Sequence, residues 1–544
     1  MNRFSGQFLI LLFWAIFACI PASAQDHLAR FEAIDVQAYV FNLQIQDTDN
    51  TIQGEALVTV RFKKDQSEVV LDLANVNEDG KGMEVLGVVL SSGASGTLAE
   101  PVPFTHKANK LTIQHVGKAE DRATFTILYS GEPANGLVIS ENKYGDRTFF
   151  GDNWPNRAFY WLPTVDHPSD KATVAWAITA PNHYQVVANG RLVEETDLDD
   201  STRLTRWETS VPLATKVMVF GAARFAVEQV GEIYNVPVSS WVYPQNRDEG
   251  FYDYEMALEI VDWFINHVGP YPYAKLANVQ SKTMFGGMEN AGNIFYFEGS
   301  VSGKREIEGL LAHEIAHQWF GNSASEASWH HSWLSEGFAT YFTNLYIEQK
   351  HGRDRFVEGE IEQRNSVVAY SKKEFVPLVN PAITDYMQVL STNTYQKGGW
   401  VLHMLRKQLG DDLFWKGMRT YYATYTHSNA YSDDLRHVLE DVSGQDLKVF
   451  FDQWVYRAGQ PNLDVSWSYK GQTLTVDVIQ KQAEAFQFPL EIDIVFEDGS
   501  TIRKSVDIAS KSTSATFTME KKPVEIVLDP DTWLLFEAGQ VIAL

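Results

Sequence analysis

His313 and His317 stand four residues apart with Glu314 beside the first. On a helix, imidazoles at that spacing project from one face, close enough to share one Zn²⁺ at about 2.0–2.1 Å, and the intervening carboxylate stays free as a base. A tetrahedral catalytic site also needs a third protein ligand and an open position. Glu336, in the run Trp333-Leu334-Ser335-Glu336-Gly337-Phe338, opens a second apolar stretch able to pack beside the first and supplies that ligand. A cation held there would polarise a carbonyl and bring the pKa of a water towards about 7, with Glu314 taking the proton and passing it to the leaving group. The chemistry expected is metal-assisted hydrolysis with one Zn²⁺ per chain. Taken singly, the same residues read as surface histidines and a first-turn glutamate favoured by the helix dipole; the pattern as a set argues for ligands.

The histidines need a helix, and the spacing predicts one over Arg305 to Phe320, with Ile307, Leu311, Ile315 and Trp319 recurring every four residues and Gly321-Asn322 as its stop. From about Ala33 to Val230 the chain shows short alternating runs, such as Ala56-Leu57-Val58-Thr59-Val60-Arg61-Phe62, which predict a large antiparallel β domain. After about Gly231 the period becomes helical, with Leu258, Val261 and Phe264/Ile265 in register until Gly269-Pro270. From Pro461 strand patterns return, and Asp498-Gly499 marks a hairpin turn. The expected division is 25–230, 231–460 and 461–544 after a leader at 1–24, and the fold class is multidomain α+β.

At 544 residues the chain exceeds a single core of about 250–300 residues. A hydrophobic content of 44% excludes disorder, and 45 Lys+Arg against 70 Asp+Glu, a net charge of −25, excludes nucleic acid as a natural partner. Arg3, the apolar stretch Phe8 to Ile20 and Ala22-Ser23-Ala24 have the layout of a secretory signal cleaved after Ala24. The expected location is therefore periplasmic or secreted. Cys19 is the only cysteine and lies inside that segment; the bulky Phe17 before it disfavours lipid attachment. No later stretch has the ~20 apolar residues of a membrane span.

Upstream lies Gly286-Gly287-Met288-Glu289-Asn290, and with His313-Glu314-x-x-His317 and Glu336 the chain resembles the gluzincin zinc aminopeptidases, the family of aminopeptidase N and leukotriene hydrolase. Gly269-Pro270-Tyr271-Pro272-Tyr273, His317-Gln318-Trp319-Phe320-Gly321-Asn322 and Thr394-Tyr395-Gln396-Lys397-Gly398 are similar to family segments in the same order. The resemblance implies a β-saddle domain, a thermolysin-like catalytic domain and a small C-terminal β-sandwich. It implies that Gly286, Gly287, Met288 and Asn290 belong to the substrate-binding strand, that Glu289 holds the free α-amine, and that Tyr395 donates to the oxyanion. A carboxylate at that place fixes a peptide by its charged end, one residue from the metal. Taken alone, Glu289 would be a solvated loop residue and Tyr395 a core residue.

Two departures stand out. Where the family usually has a Gln or Glu as second partner for the amine, this chain has Trp154, with Asp152 or Asn153 as the nearest substitutes. The sequence also ends soon after the expected sandwich, so a large helical C-terminal domain is not expected and the cleft is expected to be more open. The leading expectation is an exported zinc aminopeptidase acting on peptides with a free N-terminus. The alternatives are a thermolysin-like endopeptidase and a catalytically silent peptide-binding protein; no residue calls for the epoxide hydrolysis of some relatives. His167, His330 and His331 are expected to be surface or packing residues.

Overall fold

The structure, a computed structural model, describes residues 29–91 and 100–544. The leader segment and Cys19 lie outside the described residues.

Alternation of apolar and polar side chains builds the first domain. In Ile52–Phe62, Ala56, Val58, Val60 and Phe62 are fully buried while their neighbours face outward. A sheet of nine strands among the described residues runs in the order Arg191–Asp197, Thr202–Glu208, Lys171–Pro181, Ile34–Gln44, Ile52–Phe62, Arg122–Glu132, Gly82–Ser91 and Glu100–Pro101, with Leu213–Ala214 pairing Lys171–Pro181 off this path. The expectation of an antiparallel domain needs one correction. Ile34–Gln44 pairs in parallel with Lys171–Pro181, Ala38 opposite Thr173, because the strand returns only after a long excursion through the rest of the sheet.

The strand Ala226–Ile233 spans the expected boundary at 230 and pairs with Val236–Val242, so it belongs to the second sheet. That sheet continues through Leu276–Ser281 and Asn293–Phe297, in parallel, and ends on the two-residue antiparallel strand Gly287–Met288. Around it lie helices α1 (Ala257–His267), α2 (Glu308–Ala316), α3 (Trp333–His351), α4 (Arg353–Ser371), α5 (Gly398–Leu409) and α6 (Asp411–Tyr425). In α1 the buried stripe is Ala257, Ile260, Val261 and Phe264, whereas Leu258 and Ile265 are half-buried. Helix α2 is shorter than Arg305 to Phe320. Before it, Asp253 accepts the backbone N–H groups of Ser302, Gly303 and Arg305; after it the chain turns at His317–Trp319 and bridges Phe320 to Ala324.

The C-terminal part forms two sheets, of four and three strands. Asp498-Gly499 does make the turn between Phe488–Phe496 and Thr501–Ile508, with Gly499 donating to the Phe496 carbonyl. Side chains from both sheets, including Leu474, Val476, Ile492 and Ile494, join the helices in one apolar core. A second core lies in the N-terminal domain and reaches into the middle, helical part through Met288, Phe295 and Trp329. Between these parts Lys216 and Glu326 form an ion pair at 2.6 Å, both nearly inaccessible. Among the described residues no helix is long and apolar enough to cross a membrane.

Candidate metal centre and substrate cleft

Helix α2 and the turn after it present His313 and His317, and the first turn of α3 presents Glu336. The His313 and His317 Nε2 atoms are 3.2 Å apart, and Glu336 Oε2 lies 3.4 Å from the first and 3.1 Å from the second. Three donors on a tetrahedron with bonds of 2.0–2.1 Å are separated by about 3.3 Å, so the cluster has the size of a zinc site. Glu336 Oε2 is buried without a hydrogen-bond partner. Burial alone lowers the His317 imidazolium, but the Glu336 and Glu289 carboxylates outweigh it and raise its pKa to about 10. Glu336, which burial would raise, is held well below the usual carboxylate range by His317 and His313. The donor set therefore demands positive charge at its centre, and the residues fit a divalent cation. His317 is oriented from behind, its Nδ1 3.2 Å from the Phe320 carbonyl and 3.1 Å from Ser335 Oγ.

Glu314, Glu289 and Tyr395 surround this cluster. Burial, with Glu289 and Glu336 nearby, pushes the Glu314 carboxyl well above its ordinary value; burial also raises Glu289, whose Oε1 is enclosed without a partner. Tyr395 sits in the π-helical turn Asn393–Lys397 that leads into α5, its ring stacked on His313 at 5.9 Å. Burial and the three carboxylates keep its phenol protonated, hence a donor. The turn can come so close because α3 and α5 cross at glycines: a Cβ on Gly337 would lie 2.8 Å from the Gly398 backbone. A Cβ on Gly287 would stand 2.5 Å from the Glu314 carboxylate and would displace that side chain, whereas Gly286 meets only Leu310 at 3.8 Å.

These residues line a cleft of about 410 Å³ together with Trp154, Phe285, Leu310 and Leu390. Of the residues expected here, His313, Glu314, His317, Glu336, Tyr395, Gly286, Gly287, Met288 and Glu289 converge on it. Asn290 does not: it is fully buried and outside the cleft lining. Asp152 and Asn153 are committed elsewhere. Asp152 pairs with Arg157 at 2.5 Å and accepts from Met284 N, while Asn153 donates to the Thr215 and Met218 carbonyls and accepts from Trp161. His330 meets the Ile383 carbonyl and His331 the Ser432 hydroxyl, as packing residues do. Sequence reasoning gave no role to Gln318 and Asn322, whose side-chain amides both donate to the Glu289 carbonyl and so tie the Gly286–Asn290 segment to the end of the histidine helix. Their signal was their place in the run from His317 to Asn322, which resembles a family segment but which spacing rules for metal ligands do not score.

The cleft holds three carboxylates, Glu289, Glu314 and Glu336, beside the two imidazoles. A divalent cation and one substrate ammonium would balance their charge.

Residues 36–217 match the Peptidase M1 N-terminal domain and residues 252–454 the Peptidase family M1 domain. Aminopeptidase A of Gloydius brevicauda is 26% identical over 406 residues, 70% of this chain and 42% of that protein. Human glutamyl aminopeptidase is 28% identical over 334 residues, covering 58% and 34%, and rat aminopeptidase N is 28% identical over 342 residues, covering 56% and 35%. The matched stretches span less than half the length of these relatives.

Proposed function

The chain belongs to the M1 peptidase family, and from that premise we propose that it is an exported, zinc-dependent aminopeptidase that removes N-terminal residues from peptides. In this reading the N-terminal sheet is the family's β-saddle, the middle part a thermolysin-like catalytic domain and the last two sheets a β-sandwich. Export rests on the leader-like first 24 residues. The observation that carries the proposal is Glu289: an enclosed carboxylate oxygen without a partner, on the cleft wall beside the metal-donor cluster.

His313, His317 and Glu336 would hold the zinc, which when bound supplies polarisation of the scissile carbonyl and acidification of a water. Gly287–Met288 is the edge strand of its sheet, so its outer backbone groups are free to pair with an extended peptide. Glu289 takes the substrate ammonium and sets the register, placing the first peptide bond at the donors. Glu314 accepts the water proton and returns it to the leaving amine, a double task suited to a carboxyl with a raised pKa. The Tyr395 hydroxyl donates to the carbonyl oxygen as negative charge develops on it.

The test is hydrolysis of aminoacyl chromogenic substrates before and after chelation, with zinc restored. Activity that disappears with chelator and returns with zinc supports the proposal; activity indifferent to chelator overturns it.

A further inference from the structure

The cleft has one wall that hydrolysis itself does not use. Trp154, supplied by the N-terminal domain, stands edge-to-face against Phe285 at 6.2 Å and Trp329 at 5.6 Å, and Leu390 lines the same cleft. Phe285 directly precedes the segment that carries Glu289, and Leu390 lies just before the turn that carries Tyr395. A substrate whose ammonium meets Glu289 and whose carbonyl meets the metal donors has its first Cα between the two. Gly287 packs on the Glu314 carboxylate and offers no side chain to hold a substituent. The apolar side chains that line the cleft are Trp154, Phe285, Met288, Leu310 and Leu390, and the aromatic ones among them that hydrolysis does not use are Trp154 and Phe285.

Resting on the aminopeptidase reading, we infer that Trp154, Phe285 and Leu390 receive the first side chain of the substrate and select aromatic and large aliphatic residues over acidic ones. An aromatic side chain placed there removes apolar surface from water and finds ring edges and faces to pack on. An acidic side chain finds the opposite. No Lys or Arg lines the cleft, and its charged groups besides the histidines are the carboxylates of Glu289, Glu314 and Glu336. The cations closest to this wall are already engaged. Arg157, 5.7 Å from the Phe285 ring, is paired with Asp152 and bound to the Trp154 carbonyl, and Lys216, 5.6 Å from the Trp329 ring, is buried on Glu326. Desolvating a carboxylate among three others without a partner is unfavourable. This chain is thus expected to part from those relatives named for a glutamyl residue.

The test compares kcat/KM for the p-nitroanilides of Phe, Leu, Ala and Glu on the full chain, and calorimetric binding of L-phenylalaninol and L-alaninol, which carry a free amine and no scissile bond. Phe and Leu should exceed Ala by about 10- to 200-fold, with Glu lowest, and phenylalaninol should bind more tightly than alaninol. Trp154→Ala should cut the Phe/Ala ratio at least about tenfold; Phe285→Ala, at a less buried position, gives the same reading if the first variant does not fold. A Glu substrate cleaved as well as Ala, or an unchanged Phe/Ala ratio in both variants, overturns the inference and leaves the aminopeptidase reading intact. No hydrolysis of any of the four, with phenylalaninol still bound more tightly than alaninol, overturns that reading and supports the aromatic wall.

Discussion

At the proposed metal end of the cleft every donor comes from the single stretch His313–Glu336, two helices packed in one core, whereas the proposed amine end joins Glu289 and Phe285 of the helical part to Trp154 of the N-terminal domain and depends on the fit between the two. The donor cluster is a local product of helix geometry and a glycine crossing. On the proposed reading, recognition of the substrate's first residue is a product of domain packing, fastened by Lys216–Glu326 and by the Lys171 amino group, which donates to the carbonyls of Asn322, Ser323 and Ser428. Changes at the junction should therefore disturb recognition and stability, and changes in the helices should disturb chemistry.

The largest effect expected is at the metal end. Glu314→Gln should lower kcat/KM by about 10²- to 10⁴-fold, with zinc content by metal analysis unchanged; loss of zinc along with activity would mean the residue helps build the donor cluster. At the junction, Lys216→Met leaves Glu326 buried without its partner and should cost about 3–5 kcal/mol in denaturant unfolding. A cost near zero would show that the domains are not fastened there. Ser335→Ala, which removes a hydroxyl from His317 Nδ1, should weaken zinc binding about tenfold by competitive chelation and leave the Phe/Ala preference unchanged.

The smallest effect concerns pH and the contact between α5 and the C-terminal sheets. His403 is buried with Nε2 on the Thr532 carbonyl and Trp533 stacked at 4.4 Å; burial, then Arg353, Arg406 and Lys407, bring its pKa to about 3. In the unfolded chain the imidazole takes a proton near about 6.5, so its contribution to stability is complete above that pH and is lost as pH falls towards 3. Asp529, raised by burial to about 6, acts in the opposite sense. The informative quantity is thus the difference between wild type and His403→Asn: Tm of the wild type should fall more steeply between pH 7 and 5, and parallel curves would remove His403 from the account.

How much of this was legible in the sequence follows the same division. The closeness of His313 and His317 could be read because a four-residue spacing has a fixed geometric meaning on a helix, Glu336 from its place at the opening of the next apolar stretch, and the alternating runs of the β domain because strand period is fixed as well. Trp154 could be named as a departure but not placed, since only the folded domains bring it onto Phe285 and Trp329. The suggestion that Asp152 or Asn153 stands in for it failed because both satisfy backbone and ion-pair partners that pattern reading does not see. The parallel pairing of Ile34–Gln44 escaped for a related reason: alternation fixes the face a side chain occupies, not the direction of its neighbour.

The central claim is that Glu289 reads the substrate's free amine while the metal end performs the hydrolysis. Its most direct test is the ratio of kcat/KM for a Phe-initiated peptide to that of its N-acetylated form, in wild type and in Glu289→Ala. The account predicts cleavage of the free amine alone in wild type and a large loss of that activity in the variant with zinc retained. Equal cleavage of the acetylated peptide by wild type would contradict it and identify an endopeptidase.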